Sequence, residues 1–221
     1  MSKYFYHCIF FLMFICIASV FSEEKNTNSY STNSLLKIKL ANDLAQYGYE
    51  MESPQALLEA VEILADVNIK HFDIEEHRAG TISKTTVEDN FSLSPNSIFS
   101  DALYLIGKDS TFDKWIKKIE GKLSKKKGAL QGPKSIDSFI YGNDGCNSYK
   151  IPFIEGKKAQ IYVKVLNEVK FDISIYDASG KITVEGKEND IISFIPQNSK
   201  PYMIQIRNRT MANVSFSLFT D

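Results

Sequence analysis

Near residue 133 the spacing of the apolar side chains changes, and this constrains the fold more than any other feature of the chain. Upstream, apolar residues recur every three to four positions, the period of an amphipathic helix; downstream they alternate, the period of a strand with one buried face. Gly128, Gly132 and Pro133 punctuate the boundary. Such a chain is predicted to be α+β, with an N-terminal bundle of about four helices followed by a C-terminal antiparallel β-sandwich of jelly-roll-like type.

The helical half divides by its start and stop signals. Leu36, Leu40, Leu44 and Tyr47 recur at helical spacing from about Ser34, and Gly48 stands where a helix would stop. Ser53-Pro54 and Ser94-Pro95 share one start chemistry, a hydroxyl that can cap free amides followed by a ring already held at helical φ. The first opens a helix with Leu57, Val61 and Leu64 on one face; the second opens a helix with Ile98, Ala102, Leu105 and Ile106, closed by Gly107. Phe112, Ile116, Ile119 and Leu123 mark a last helix, expected to fray at Gly121. Residues 70–93 lack periodicity and are expected to be a long connection.

Downstream, alternation is clean over Ile161 to Val165, Phe171 to Tyr176, Tyr202 to Arg207 and Val214 to Leu218. Asp177-Ala178-Ser179-Gly180 is a turn leading into Ile182 and Val184. Short strands with one apolar face each pack best as two sheets around a common core.

The amino terminus predicts a compartment. Lys3 precedes the apolar run Cys8 to Val20, which is shorter than the ~20 residues of a membrane span, and small residues lead to a cut after Ser22. The expected division is a signal peptide at 1–22, a leader at 23–33, a helical domain at 34–127, a linker at 128–148 and the sandwich at 149–221. The processed chain is expected in the periplasm or outside the cell, with no span of its own. Its charge becomes −2, because Lys3 is the only charged residue removed, and nothing in that balance favours nucleic acid. Cys146 is then the only thiol, which excludes an internal disulfide.

A resemblance covers most of residues 34–221. Phe153, Gly156 and Ala159, then Asp172, Asp177 and Gly180, then Phe194 and Pro196, then Tyr202 and Asn208 follow the order of elements in the bacterial pre-peptidase C-terminal domain, which this half resembles. The stretches Leu40 to Leu64 and Lys125 to Lys134 are similar to uncharacterised exported bacterial proteins that join a helical segment to such a sandwich. The resemblance implies export and an accessory module. Lys170 stands where the family would strengthen a calcium site with Asp, so no metal is expected there.

Few residues carry candidate chemistry. No Gly-x-Ser-x-Gly elbow, phosphate loop or dinucleotide fingerprint occurs, and no catalytic residue or cofactor site is assigned. His71, Glu75 and His77, beside Asp73 and Glu76, could share faces of a helix and present themselves to a divalent metal, but their spacing matches no zinc motif, and a solvated helix end is the expectation. Cys146 would need a base to act as nucleophile, and neither histidine is near it in sequence. Lys117, Lys118, Lys122, Lys125, Lys126 and Lys127 form a basic run that could meet an anionic surface. The function expected is a non-enzymatic binding or stabilising module with an envelope protein or polysaccharide as partner. The alternative is an unrecognised hydrolase or peptidase-associated factor with its site at the helix–sandwich junction.

Overall fold

Serine and proline open two helices alike. In the computed structural model, which describes residues 30–72, 74, 76–79, 94–124, 133–165 and 169–221, Ser53 Oγ accepts from the Ala56 amide at 3.4 Å and Ser94 Oγ from the Ser97 amide at 3.1 Å. These caps begin α2 (Pro54–Asp66) and α3 (Pro95–Ile106), and α3 ends on Gly107 at φ 59°, a conformation that favours glycine. α1 spans Tyr30–Glu50, and α4 (Asp113–Ser124) follows a short 3-10 turn at Ser110–Phe112. The expected signal peptide lies outside the described residues, whereas the last residues of the expected leader are helical.

α1 packs through a face other than the one its leucines predict. Leu35, Ile38, Ala41 and Ala45 are fully buried, whereas Leu36, Leu40 and Tyr47 are each more than half exposed. One reason is close approach at the carboxy-terminal end of α1, where Gly48 meets Leu57 of α2. At Gly48 a Cβ would stand 2.5 Å from Leu57 Cδ2, so this glycine serves the helix contact and the helix runs on to Glu50 instead of stopping. α2 is the centre of the layer, with Ala56, Leu57, Leu58, Ala60, Val61, Leu64 and Ala65 all buried. α4 is tied to it by charge: Glu62 receives Trp115 Nε1 at 2.8 Å and the amines of Lys118 and Lys122 at 2.5 and 3.0 Å. Gly121 lies within α4.

Residues 70–79, expected as connection, instead supply β1 (Lys70–His71) and β2 (Glu76–Ala79). The segment expected as linker likewise holds β3 (Lys134–Ile140) and the start of β4 (Cys146–Ile151). β5 (Ala159–Lys164), β6 (Phe171–Tyr176), β7 (Ile182–Lys187), β8 (Ile191–Phe194), β9 (Tyr202–Asn208) and β10 (Val214–Thr220) follow. They form two five-stranded sheets, β1-β3-β10-β5-β8 and β2-β4-β9-β6-β7. Among the described residues, only β1, beside β3, runs parallel to its neighbour. Strands β3 to β10 are ordered as in a jelly roll, with β6 and β7 a hairpin within the second sheet, and β1 and β2 extend one edge of each sheet.

Two apolar layers result. Between the sheets, Tyr149, Phe171, Ile173, Ile175, Ile204 and Ile206 meet Ile161, Val163, Phe216 and Leu218, each burial stabilising by about 1.5–3 kcal/mol. Tyr162 and Phe219 point the other way and stack at 5.8 Å within the core of the helices. The helices thus cover the outer face of the first sheet, and residues 31–221 form one compact unit. Coverage on both sides explains why β5 is buried at every position, Lys164 included.

Candidate functional site

The second sheet has no such cover among the described residues. Alternation along β6 turns Phe171, Ile173 and Ile175 into the core and leaves Asp172, Ser174 and Tyr176 outside; along β9 it leaves Met203, Gln205 and Arg207 outside. Register sets these side chains in rows. Lys187, Asp172, Arg207 and Cys146 lie across four strands in one row, and Glu185, Ser174, Gln205, Ser148 and His77 across five in the next. On this face lies a groove of about 590 Å³, bordered by Asp172, Ser174, Tyr176, Glu185, Lys187, Arg207 and Arg209.

Hydrogen bonds hold part of this surface in place. Arg209 lies between Asp172 and Asp144, bonded to the second at 2.7 Å, and these carboxylates hold its guanidinium above the usual range. Tyr176 OH donates to Gln205 Oε1 at 3.3 Å across the strand pair. Ser174 and the bases Lys187 and Arg207 complete a surface of hydroxyl, amide, carboxylate and cationic groups. Such a surface can hydrogen-bond a polyhydroxylated chain and attract acidic groups on it.

The residues singled out in the sequence are dispersed. His71 is on β1 of the first sheet and His77 on β2 of the second, so the helix that would have gathered them is absent; Glu75 lies outside the described residues. Among the described residues, no group of three or more His, Cys, Asp or Glu could hold a metal. Asp172 faces Arg209, while Asp177 caps the β6–β7 turn, its pKa lowered by the Ser179 hydroxyl and then by the Lys181 and Ser179 amides that donate to it. Cys146 is on a strand and buried, and burial raises its thiol pKa against smaller opposing effects of Arg207 and Ser148. A thiol so placed stays protonated at neutral pH. Of the basic run, Lys118 and Lys122 turn to Glu62, Lys117 is exposed, and Lys125, Lys126 and Lys127 lie outside the described residues.

A second cavity, of about 470 Å³, lies at the junction of the helices and the first sheet, bordered by Asn42, His71, Ser94, Ser135, Asp137 and Ser217. Its hydroxyls are already bonded: Ser135 Oγ donates to the Lys70 carbonyl at 3.5 Å, Ser217 Oγ to Asp137 of the same wall at 2.6 Å, and Ser94 Oγ caps α3.

Sequence reasoning missed Glu76 altogether as an organising residue. Its Oε1 receives Ser138 Oγ at 2.5 Å, Asn147 Nδ2 at 2.6 Å and Tyr149 OH at 2.5 Å, and its Oε2 receives Arg78. Arg78 also lies over the Phe139 ring at 4.3 Å. Burial alone would raise the carboxyl pKa, but donors from Arg78, Ser138 and Tyr149 outweigh it and hold it below the usual range. This cluster fastens β2 and β4 of one sheet to β3 of the other. No local signal marks it, because β2 is polar throughout and the inward side of Glu76 follows only from its pairing opposite Tyr149.

No family model matches the chain, and no curated protein matches it. Similar solved structures cover about 40% of this chain. The pre-peptidase C-terminal domain of a Bacillus anthracis collagenase is 14% identical, covering 39% of this chain and 87% of its own at a TM-score of 0.34. The periplasmic g-type lysozyme inhibitor PliG of Aeromonas hydrophila is 11% identical over 40% and 84% at 0.35. The Yersinia pseudotuberculosis-derived mitogen is 10% identical over 41% and 86% at 0.32. The family whose order of motifs residues 153–208 resemble is therefore among the structural neighbours, at low overall similarity.

Proposed function

We propose that the chain is an exported, non-enzymatic binding module whose ligand is an acidic polysaccharide of the cell envelope, held on the open face of the second sheet. The carrying observation is the asymmetry of the sandwich: helices roof one sheet, and the other presents ordered polar rows and a groove of about 590 Å³. A protein partner would be anchored by large apolar or aromatic side chains at the centre of the contact. The most exposed of those, Tyr104 at 87% and Met211 at 81%, are not among the residues that line the groove. With Arg209 taken up by Asp172 and Asp144, Lys187 and Arg207 outnumber Glu185 on the rest of the groove lining, which favours an acidic chain over a neutral one.

Affinity electrophoresis through gels cast with polygalacturonate, alginate or a neutral glucan tests this. The acidic polymers are expected to retard the protein and the neutral one to leave it unretarded, with retardation falling as salt rises. Replacing Lys187 and Arg207 together by Ala is expected to weaken binding by roughly tenfold or more. Equal migration in all three gels, or retardation indifferent to that replacement, would remove the reading.

A further inference from the structure

The cavity of about 470 Å³ between the helices and the first sheet is bordered by a polar group that the fold leaves unused. Asn42 reaches it from α1, is 1% exposed, and its Nδ2 makes no hydrogen bond among the described residues. Tyr162 OH faces the same amide without meeting the geometry of a hydrogen bond to it. Buried donors in folded proteins are nearly all paired. An amide left open on a cavity wall therefore marks the place of an acceptor that the chain does not itself supply.

The rest of the lining specifies what accompanies that acceptor. Asp137 of β3 stands opposite Ser217 of β10 on the face turned to the helices, and Ser217 Oγ bonds Asp137 Oδ1 at 2.6 Å. This bond steadies the carboxylate and leaves Oδ2 to accept from elsewhere. No lysine or arginine lines the cavity: Lys164, beside Ser217 in the same row, turns to Gln46 instead. Asp137 is the one carboxylate of the lining, and it favours a cationic donor. The first turn of α3 borders the cavity at Asn96, and its positive end favours a carbonyl or carboxylate oxygen, as Asn42 does. Leu64, Leu123 and Phe219 supply an apolar wall.

We infer that this cavity binds a small α-amino compound with an apolar side chain. Its ammonium meets Asp137, its carbonyl or carboxylate oxygen meets Asn42, and its side chain packs on Leu64, Leu123 and Phe219. A free amino acid and the first residue of a peptide share this chemistry, and the volume accommodates either. The site is distinct from the groove of the second sheet, with which it shares no lining residue.

Titration of the protein, purified as the cell processes it, with leucine, leucyl-glycyl-glycine and N-acetyl-leucinamide tests this by amide chemical shifts. Leucine, the leucyl peptide or both are expected to move the Asn42 side-chain amide and the backbone amides of Ser135–Asp137 and Ser217–Phe219, with a dissociation constant on the order of 0.1–1 mM. Which of the two binds distinguishes a free amino acid from a peptide terminus. N-acetyl-leucinamide, which lacks the ammonium, is expected to move none of them. Asp137→Asn, at an exposed position, is expected to weaken binding by roughly tenfold or more with an unchanged circular dichroism spectrum. Asn42→Leu is expected to weaken it too without lowering the thermal midpoint, because the amide it removes is unpaired in the free protein. The Lys187 and Arg207 double replacement is expected to bind leucine like the parent, so failure here and failure of polysaccharide binding are separate results. No shift from leucine or its peptide at about 10 mM, equal binding of the acetylated compound, or an Asp137→Asn variant that binds like the parent would overturn the inference.

Discussion

A carboxylate with several donors on one oxygen is a costly group to alter, and Glu76 is the residue on which two sheets depend. Changing it to Gln keeps the size but weakens the bonds from Ser138, Asn147 and Tyr149 and sets an amide against Arg78. The expected loss is about 1–3 kcal/mol, read as a fall of several degrees in thermal midpoint. The acid limb of stability follows from the same chemistry. Glu62, bonded by Lys118, Lys122 and Trp115, is lowered from 4.5 to about 2, and Glu76 is lowered as well. A carboxyl whose folded pKa lies below its unfolded value stabilises at pH above the unfolded value and loses that contribution as pH falls through the folded one. The thermal midpoint is therefore expected to drop as pH goes from 4.5 toward 2, and Glu62→Gln to shrink that drop; an unchanged acid limb in the variant would contradict the assignment. None of this was legible in the sequence as read by helical spacing. In HFDIEEH the acids and histidines look like a cluster, because a strand pair that sends His71 to one sheet and His77 to the other is a long-range arrangement.

At the scale of elements, local chemistry was read well and packing faces less well. Ser53-Pro54, Ser94-Pro95 and Gly107 act within one turn of their own positions, so a sequence shows them directly. α1 is the contrary case: leucine counts favour one face, while the neighbours it must approach favour small residues on the other. Ile38→Ala is expected to cost about 2–4 kcal/mol and Leu36→Ala less than about 0.5, measured by urea denaturation. Equal costs would mean that both faces are packed. β5 was read as a strand with one wet face for the same reason, since alternation in β5 itself cannot announce a roof made by distant helices. β3 and β4 escaped because Ser135 and Ser138 in the first and Asn147 and Ser148 in the second dilute their apolar pattern.

For the molecule as a whole, the change of period near residue 133 gave the fold class, and the order of strands gave the rest: a jelly roll with helices over one sheet. That arrangement separates labour between two faces. The covered face stabilises, with Tyr162 and Phe219 stacked beneath α1 and Lys164 Nζ donating to Gln46 Oε1 at 3.2 Å. The open face carries the groove proposed to bind, and its residues, Asp172, Ser174, Gln205 and Arg207, were visible in the sequence only as the polar half of an alternation. Nothing local distinguishes a polar row that faces solvent from one that faces a ligand. Amide chemical-shift perturbation on adding a soluble acidic oligosaccharide separates the two most directly. The account predicts shifts concentrated at Asp172–Tyr176, Glu185–Lys187 and Gln205–Arg209; shifts confined to the helices or to the junction around His71 and Ser135, or none at millimolar ligand, would contradict it.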